Sequence, residues 1–159
     1  MFRLGMVVTV LVVAADQISK ITVLNHLDPY ERITITPFFN LVLVYNTGIG
    51  FGLFARGDEF TRWALLLLSL AVALVLLIWL ARTKEVLVSI ALGMILGGAF
   101  GNMTDRLVRK AVVDFLDFHI HGWHWPAFNV ADSSITIGVV LFFITSLLAA
   151  QGNSRLKPK

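Results

Sequence analysis

Two aspartates occupy positions where an apolar chain should carry no charge: Asp114 in Val112-Val113-Asp114-Phe115, and Asp132 closing Phe128-Asn129-Val130-Ala131-Asp132. A carboxylate at or near the hydrocarbon boundary costs on the order of a few kcal/mol or more unless it is solvated, paired or protonated, so such acids are functional-site candidates. Asp114 has only Val112, Val113, Phe115 and Leu116 around it in sequence. Desolvation there favours the protonated form. Asp132 opens an apolar run, where a helix dipole favours the ionised form and the side chain can cap Ser134 or Ile135. One protonated and one ionised carboxyl is the pairing that aspartyl hydrolysis requires: one takes a proton from water while the other polarises the scissile carbonyl. The plainer readings are an N-cap for Asp132 and a solvent-facing strand end for Asp114. Asp117, three residues on, would lie on the opposite face of a strand from Asp114 and ranks below both.

Other polar groups have simpler roles. Asn102, Asp105 and Arg106 share a helical face, and Arg109 is four residues from Asp105, so Arg106 and Arg109 are expected to hold Asp105 as a structural ion pair. Asp16 and Lys20 have the same i, i+4 spacing and can pair inside a bundle. Neither H-E-x-x-H nor G-x-S-x-G occurs, and Ser19 beside Lys20 points about 100° away from it on a helix. The absence of cysteine excludes thiol catalysis and disulfides. His119, His121 and His124 admit a metal site, but a headgroup-level hairpin anchored by Trp123 and Trp125 is the simpler reading. No metal or cofactor is expected.

The elements that must position these acids are membrane spans. The 159 residues are 57% hydrophobic and 14% charged, and the mean hydropathy is +0.82. Residues 63–81 carry no charge and lie between Arg62 and Arg82. Residues 86–104 and 133–151 are long enough as well. The first span, about 4–24, is interrupted by Asp16 and Lys20, and residues 4–15 could instead be the core of a signal peptide ending at Val13-Ala14-Ala15. Four spans are favoured, which places both termini on one side. The dense short basic segments holding Arg3, Arg82, Lys84, Arg155, Lys157 and Lys159 favour a cytoplasmic location for them. The net charge of +3 then reflects orientation and lipid contact, with no nucleic-acid surface.

Residues 25–62 form a polar segment in which Arg32-Ile33-Thr34-Ile35-Thr36 alternates and residues 38–45 favour strand, so a small extramembrane sheet is expected. Gly48, Gly50 and Gly52 then alternate, as either a flap or a turn into an interfacial helix. Glycines 93, 97 and 101 form a G-x-x-x-G stripe for helix packing within the bundle. The expected architecture is a membrane all-α four-helix bundle with an outer β-sheet, and residues 1–159 form one integral membrane domain.

Five blocks in order, Asp16-Gln17-Ile18-Ser19-Lys20, Asn46-Thr47-Gly48, residues 97–106, Val112-Val113-Asp114-Phe115 and Phe128-Asn129-Val130-Ala131-Asp132, make the chain similar to the lipoprotein signal peptidases, or signal peptidase II. The resemblance implies that Asp114 and Asp132 are the catalytic pair, with Asp16, Lys20, Asn46, Gly48, Asn102, Asp105, Arg106 and Asn129 supporting the site or contacting substrate. It implies a bacterial inner-membrane aspartyl endopeptidase that cuts diacylglyceryl-modified prolipoproteins on the amino side of the lipidated cysteine. The partners implied are those signal peptides and membrane lipids, and a monomer is expected. One departure stands out: Ile49-Gly50-Phe51 follows Gly48, where the family usually has two alanines and an aromatic. The competing class, a small proton-coupled transporter or channel subunit, would spread ionisable groups along a transmembrane path. Here they cluster toward one side.

Overall fold

The computed structural model describes residues 1–48 and 58–155. Four helices, α1 (Phe2–His26), α2 (Glu59–Arg82), α3 (Val86–Val108) and α4 (Val130–Arg155), alternate with strands β1 (Arg32–Thr36), β2 (Phe39–Asn46), β3 (Val112–Ile120) and β4 (Trp123–His124). All four helices are long and apolar enough to cross a membrane. Their most apolar windows differ in exposure: half of the α3 window is buried against 22% of the α2 window, although α2 has the higher mean hydropathy, 2.9 against 1.8. Helix α3 is therefore the centre of the bundle, and α2 turns most of its apolar surface outward, as lipid-facing helices do.

Glycine is what lets α1 approach α3. A Cβ on Gly93 would meet the Gly5 carbonyl oxygen at 2.5 Å, and one on Gly97 would meet Val12 Cβ at 2.6 Å. The Thr9 hydroxyl uses the same proximity to donate to the Gly93 carbonyl at 3.1 Å. The glycine stripe thus serves packing inside the bundle. Ala73 and Leu80 of α2 pack on Leu92 and Leu96 of α3 to form an apolar core at the other end.

The helices extend beyond the charge-free runs. α2 begins at Glu59, capped by Asp58 accepting from the Thr61 amide at 2.7 Å, and α3 continues through Asp105 and Arg106. The sheet is antiparallel, in the order β1-β2-β3-β4. The segment 25–62 supplies only two of its strands, because α1 and α2 take the edges of that segment and β3 and β4 come from the chain after α3. Val23 and Leu27 at the end of α1 pack against Leu43, Val113 and Phe115, which fastens the sheet over that end of the bundle.

Candidate active site

Strand β3 leaves α3 after Arg109 and Lys110 and runs antiparallel beside β2, with Val112, Val113, Asp114 and Phe115 all buried. The β2–β3 register shifts between Leu41 and Val44, so that Val44 comes opposite Asp114 and Asn46 opposite Val112. Bulges of this kind re-aim side chains beside functional sites. Asn46 Nδ2 donates to Asp114 Oδ2 at 3.0 Å, and Asn129 Nδ2 donates to Asp114 Oδ1 at 2.7 Å.

Asp132 stands at the start of α4, but it is not the cap. Asn129 fills that role: its Oδ1 accepts the Asp132 amide at 2.9 Å, while Asp132 Oδ2 accepts the Asn129 amide at 3.2 Å. This is a reciprocal capping box, so Asp132 reaches back toward Asn129 and not forward to Ser134 or Ile135. Its other oxygen, Oδ1, accepts from Asn102 Nδ2 at 2.8 Å. Asn129 is therefore bonded to both aspartates at once, and it is fully buried.

The orientation of Asn102 is also fixed. Its Oδ1 accepts from Lys20 Nζ at 3.0 Å and from Asn129 Nδ2 at 3.3 Å. Two donors on one oxygen leave the amide NH2 facing Asp132. Lys20 in turn lies 2.9 Å from Asp16 Oδ2 and 2.9 Å from Asp105 Oδ2, with all three side chains fully buried. Asp105 is completed by Arg109 at 2.5 Å, Gln17 at 3.2 Å and the Val113 amide at 3.0 Å. Asp16 Oδ1 also accepts the Ala131 amide at 2.9 Å, tying α1 to the first turn of α4.

One further expectation does not hold. Arg106 is no partner of Asp105: adjacent helical residues diverge by about 100°, and Arg106 Nη2 instead donates to the Gly48 carbonyl at 2.9 Å. Lys20 and Arg109 neutralise Asp105 in its place. Gln17, not singled out as a site residue, joins Asp16, Asp105 and Arg109, and its position beside Asp16 was the available signal. Asp117 bonds Asn40 at 2.8 Å and His124 at 2.8 Å, away from the other acids. The alternating glycines at 50 and 52, with Ile49 and Phe51, lie outside the described residues.

Asp114, Asp132, Asn46, Gly48, Asn102 and Arg106 all line one cavity of about 720 Å³. Its remaining wall is largely apolar, including Leu65, Leu68 and Val72 of α2, Ile95 of α3 and Ile137 of α4. Below it, α2 and α4 meet where the Trp79 and Phe142 rings lie edge to face at 4.9 Å. Burial, reinforced by the charge of Asp132, raises the Asp114 carboxyl to about 7 against the hydrogen bonds from Asn46 and Asn129. An acid that holds its proton near neutrality beside a second carboxyl, at the head of an apolar cavity, is equipped for acid–base chemistry on an amphiphilic substrate.

The family model described as signal peptidase (SPase) II, Peptidase_A8, matches residues 8–148. The chain belongs to the signal peptidase II family. Curated relatives named lipoprotein signal peptidase include one from Burkholderia mallei (strain SAVP1), 44% identical over 146 residues, which is 91% of this chain and 88% of that protein. Another, from Burkholderia multivorans, is 46% identical over the same coverage. Two solved structures, both titled as a bacterial membrane enzyme determined by the in meso method, share the fold. The one at 2.3 Å resolution has a TM-score of 0.84 and 28% identity, covering 98% of this chain and 93% of that one. The one at 1.9 Å has a TM-score of 0.80 and 27% identity, covering 90% and 92%. As a signal peptidase II, the chain is a membrane aspartyl protease.

Proposed function

We propose that this peptidase removes signal peptides from diacylglyceryl-modified prolipoproteins by cutting on the amino side of the lipidated cysteine, with Asp114 and Asp132 as its catalytic pair. The observation that carries the reading is the joining of the two carboxylates through Asn129 at the head of an apolar cavity. Asp132 takes a proton from the attacking water as its oxygen bonds to the scissile carbonyl carbon, and Asp114 gives its proton to the carbonyl oxygen. On collapse the C–N bond breaks, Asp132 returns its proton to the cysteine nitrogen, and Asp114 regains one from the hydroxyl. The apolar walls from α2, α3 and α4 suit acyl chains and the signal-peptide helix, which arrive by lateral diffusion.

Lys20, Asn102, Asn46 and Asn129 hold the pair; Asp16 and Asp105 hold Lys20; Arg106 and Gly48, bonded to each other, form part of the cavity wall. The whole is a single integral unit of the bacterial inner membrane, working as a monomer among lipids, with cytoplasmic termini and the sheet on the outer face. A proton relay is disfavoured by the cavity wall, whose deeper part lacks ionisable groups among the described residues. The test is cleavage of a lipid-modified precursor in detergent by Asp114→Asn and Asp132→Asn. Each folded variant is expected to be inactive, and substantial turnover by either removes that residue from the pair.

A further inference from the structure

A second, smaller cavity of about 210 Å³ opens on the sheet, lined by Phe38, Phe118, His119, Ile120, Trp123 and Trp125. Four of these six side chains are aromatic hydrocarbon or indole rings, and all four are exposed, Trp123 to 65% and Phe38 to 54%. The frame around them is rigid. The His119 amide donates to the Phe38 carbonyl at 2.9 Å, and the Trp125 amide donates to the Phe118 carbonyl at 2.8 Å. His121 and Gly122, both at positive φ, make the tight turn that returns β4 against β3.

Two polar features accompany the rings. His119 Nε2 is buried without a hydrogen-bond partner among the described residues, a costly state for a ring nitrogen unless a ligand completes it. The His119 ring also stacks on His124 at 4.8 Å, and His124 Nδ1 is bonded to Asp117 at 2.8 Å. Burial pushes the Asp117 carboxyl up, but hydrogen bonds from Asn40 and His124 outweigh it and leave Asp117 below its ordinary value. An anionic charge therefore sits behind an aromatic wall, with an unsatisfied imidazole nitrogen beside it.

We propose that this cavity binds the headgroup of a zwitterionic phospholipid, with the ammonium against the ring faces and a phosphate oxygen accepting from His119 Nε2–H. Aromatic faces attract organic ammonium groups, and the carboxylate behind them adds to the field. The sheet is fastened over the end of a bundle of four spans, the depth at which headgroups lie and where tryptophan is enriched. Trp125 lines both cavities, so the headgroup site shares a wall with the catalytic one and places an ordered lipid at its rim. The proposal depends on the chain spanning a bilayer and not on which bond the enzyme cuts.

The test is native mass spectrometry of the full chain released from mixed phosphatidylethanolamine and phosphatidylglycerol of identical acyl chains. The wild type is expected to retain the ethanolamine lipid about 2- to 30-fold over the glycerol lipid, the range of a cation–π contact of about 0.5–2 kcal/mol. Trp123→Leu should abolish the preference and Trp123→Phe should keep it, whereas His119→Gln, which removes the donor to a phosphate that both lipids carry, should lower the retention of both alike. All three should cleave precursor in detergent at the wild-type rate, which shows that they are folded and keeps this result separate from the peptidase assignment. Equal retention by the wild type, a preference that survives Trp123→Leu, or unchanged retention of both lipids by His119→Gln overturns the proposal. So does displacement of the lipid by a soluble peptide copying the residues after a lipoprotein cysteine, which would assign the cavity to substrate.

Discussion

Replacing Lys20 separates the structural and chemical duties of the buried polar network. The Lys20 ammonium lies 2.9 Å from each of Asp16 and Asp105, and Arg109 brings the four-residue cluster to formal neutrality. Lys20→Met leaves two buried carboxylates with one guanidinium, and breaking a buried pair in this way costs about 3–5 kcal/mol of stability. The double variant Lys20→Met/Asp16→Asn restores neutrality, and an asparagine oxygen at 16 can still accept the Ala131 amide. What the double variant cannot restore is the charged donor on Asn102 Oδ1. Freed from it, the amide can turn its oxygen toward Asp132 and forfeit a hydrogen bond to a charged group, about 1.5–3 kcal/mol. Turnover should fall about 10- to 150-fold if that loss is expressed in the transition state, with KM little changed because no substrate contact is removed. Thermal unfolding in detergent, followed by cleavage kinetics on a lipidated precursor, measures both parts. A double variant that is folded and turns over at the wild-type rate refutes the argument that Lys20 orients Asn102.

The elevated Asp114 carboxyl also makes stability depend on pH. Between its ordinary value of 3.8 and about 7 the native state binds more protons there than the unfolded state, so stability falls as pH rises through that window, by on the order of 4 kcal/mol in total. Asp114→Asn should remove this slope, gaining on the wild type in melting temperature from about pH 4 to about pH 8; parallel curves would contradict it. Asp105→Asn should lower stability more than turnover, since Asp105 touches Lys20, Arg109 and the Val113 amide and neither carboxylate of the proposed pair. A well-folded but inactive variant would reverse that assignment. Cleavage should persist in a strong chelator, and activity lost to chelation and recovered with added metal would return attention to His119 and His124.

The spans were legible because uncharged runs such as 63–81 leave an apolar chain few alternatives. Their ends were less so. α3 runs on through Asp105, which pairs with Lys20 of α1, and Arg106, which donates to the Gly48 carbonyl before α2, and such partners do not show in a hydropathy pattern. Alternation gave β1 and β2, whereas the pairing of β2 with β3 joins residues more than 60 positions apart and depends on a bulge that no local signal marks. The two aspartates stood out by their apolar surroundings. The part of Asn129 did not, because serving as a helix cap and as a ligand to two carboxylates are separate uses of its polar atoms, visible only once α4 lies against β3. For Arg106 the obstacle is geometric: proximity in sequence is not proximity on a helix.

Asn129 makes one event of two that most enzymes keep apart. The first turn of α4 winds around the same side chain that tethers Asp114 and Asp132, so unwinding that turn disassembles the reaction centre even while the other three helices stay inserted. Heat inactivation should therefore precede global melting, and the gap between the two temperatures would gauge how firmly one asparagine holds the last helix shut.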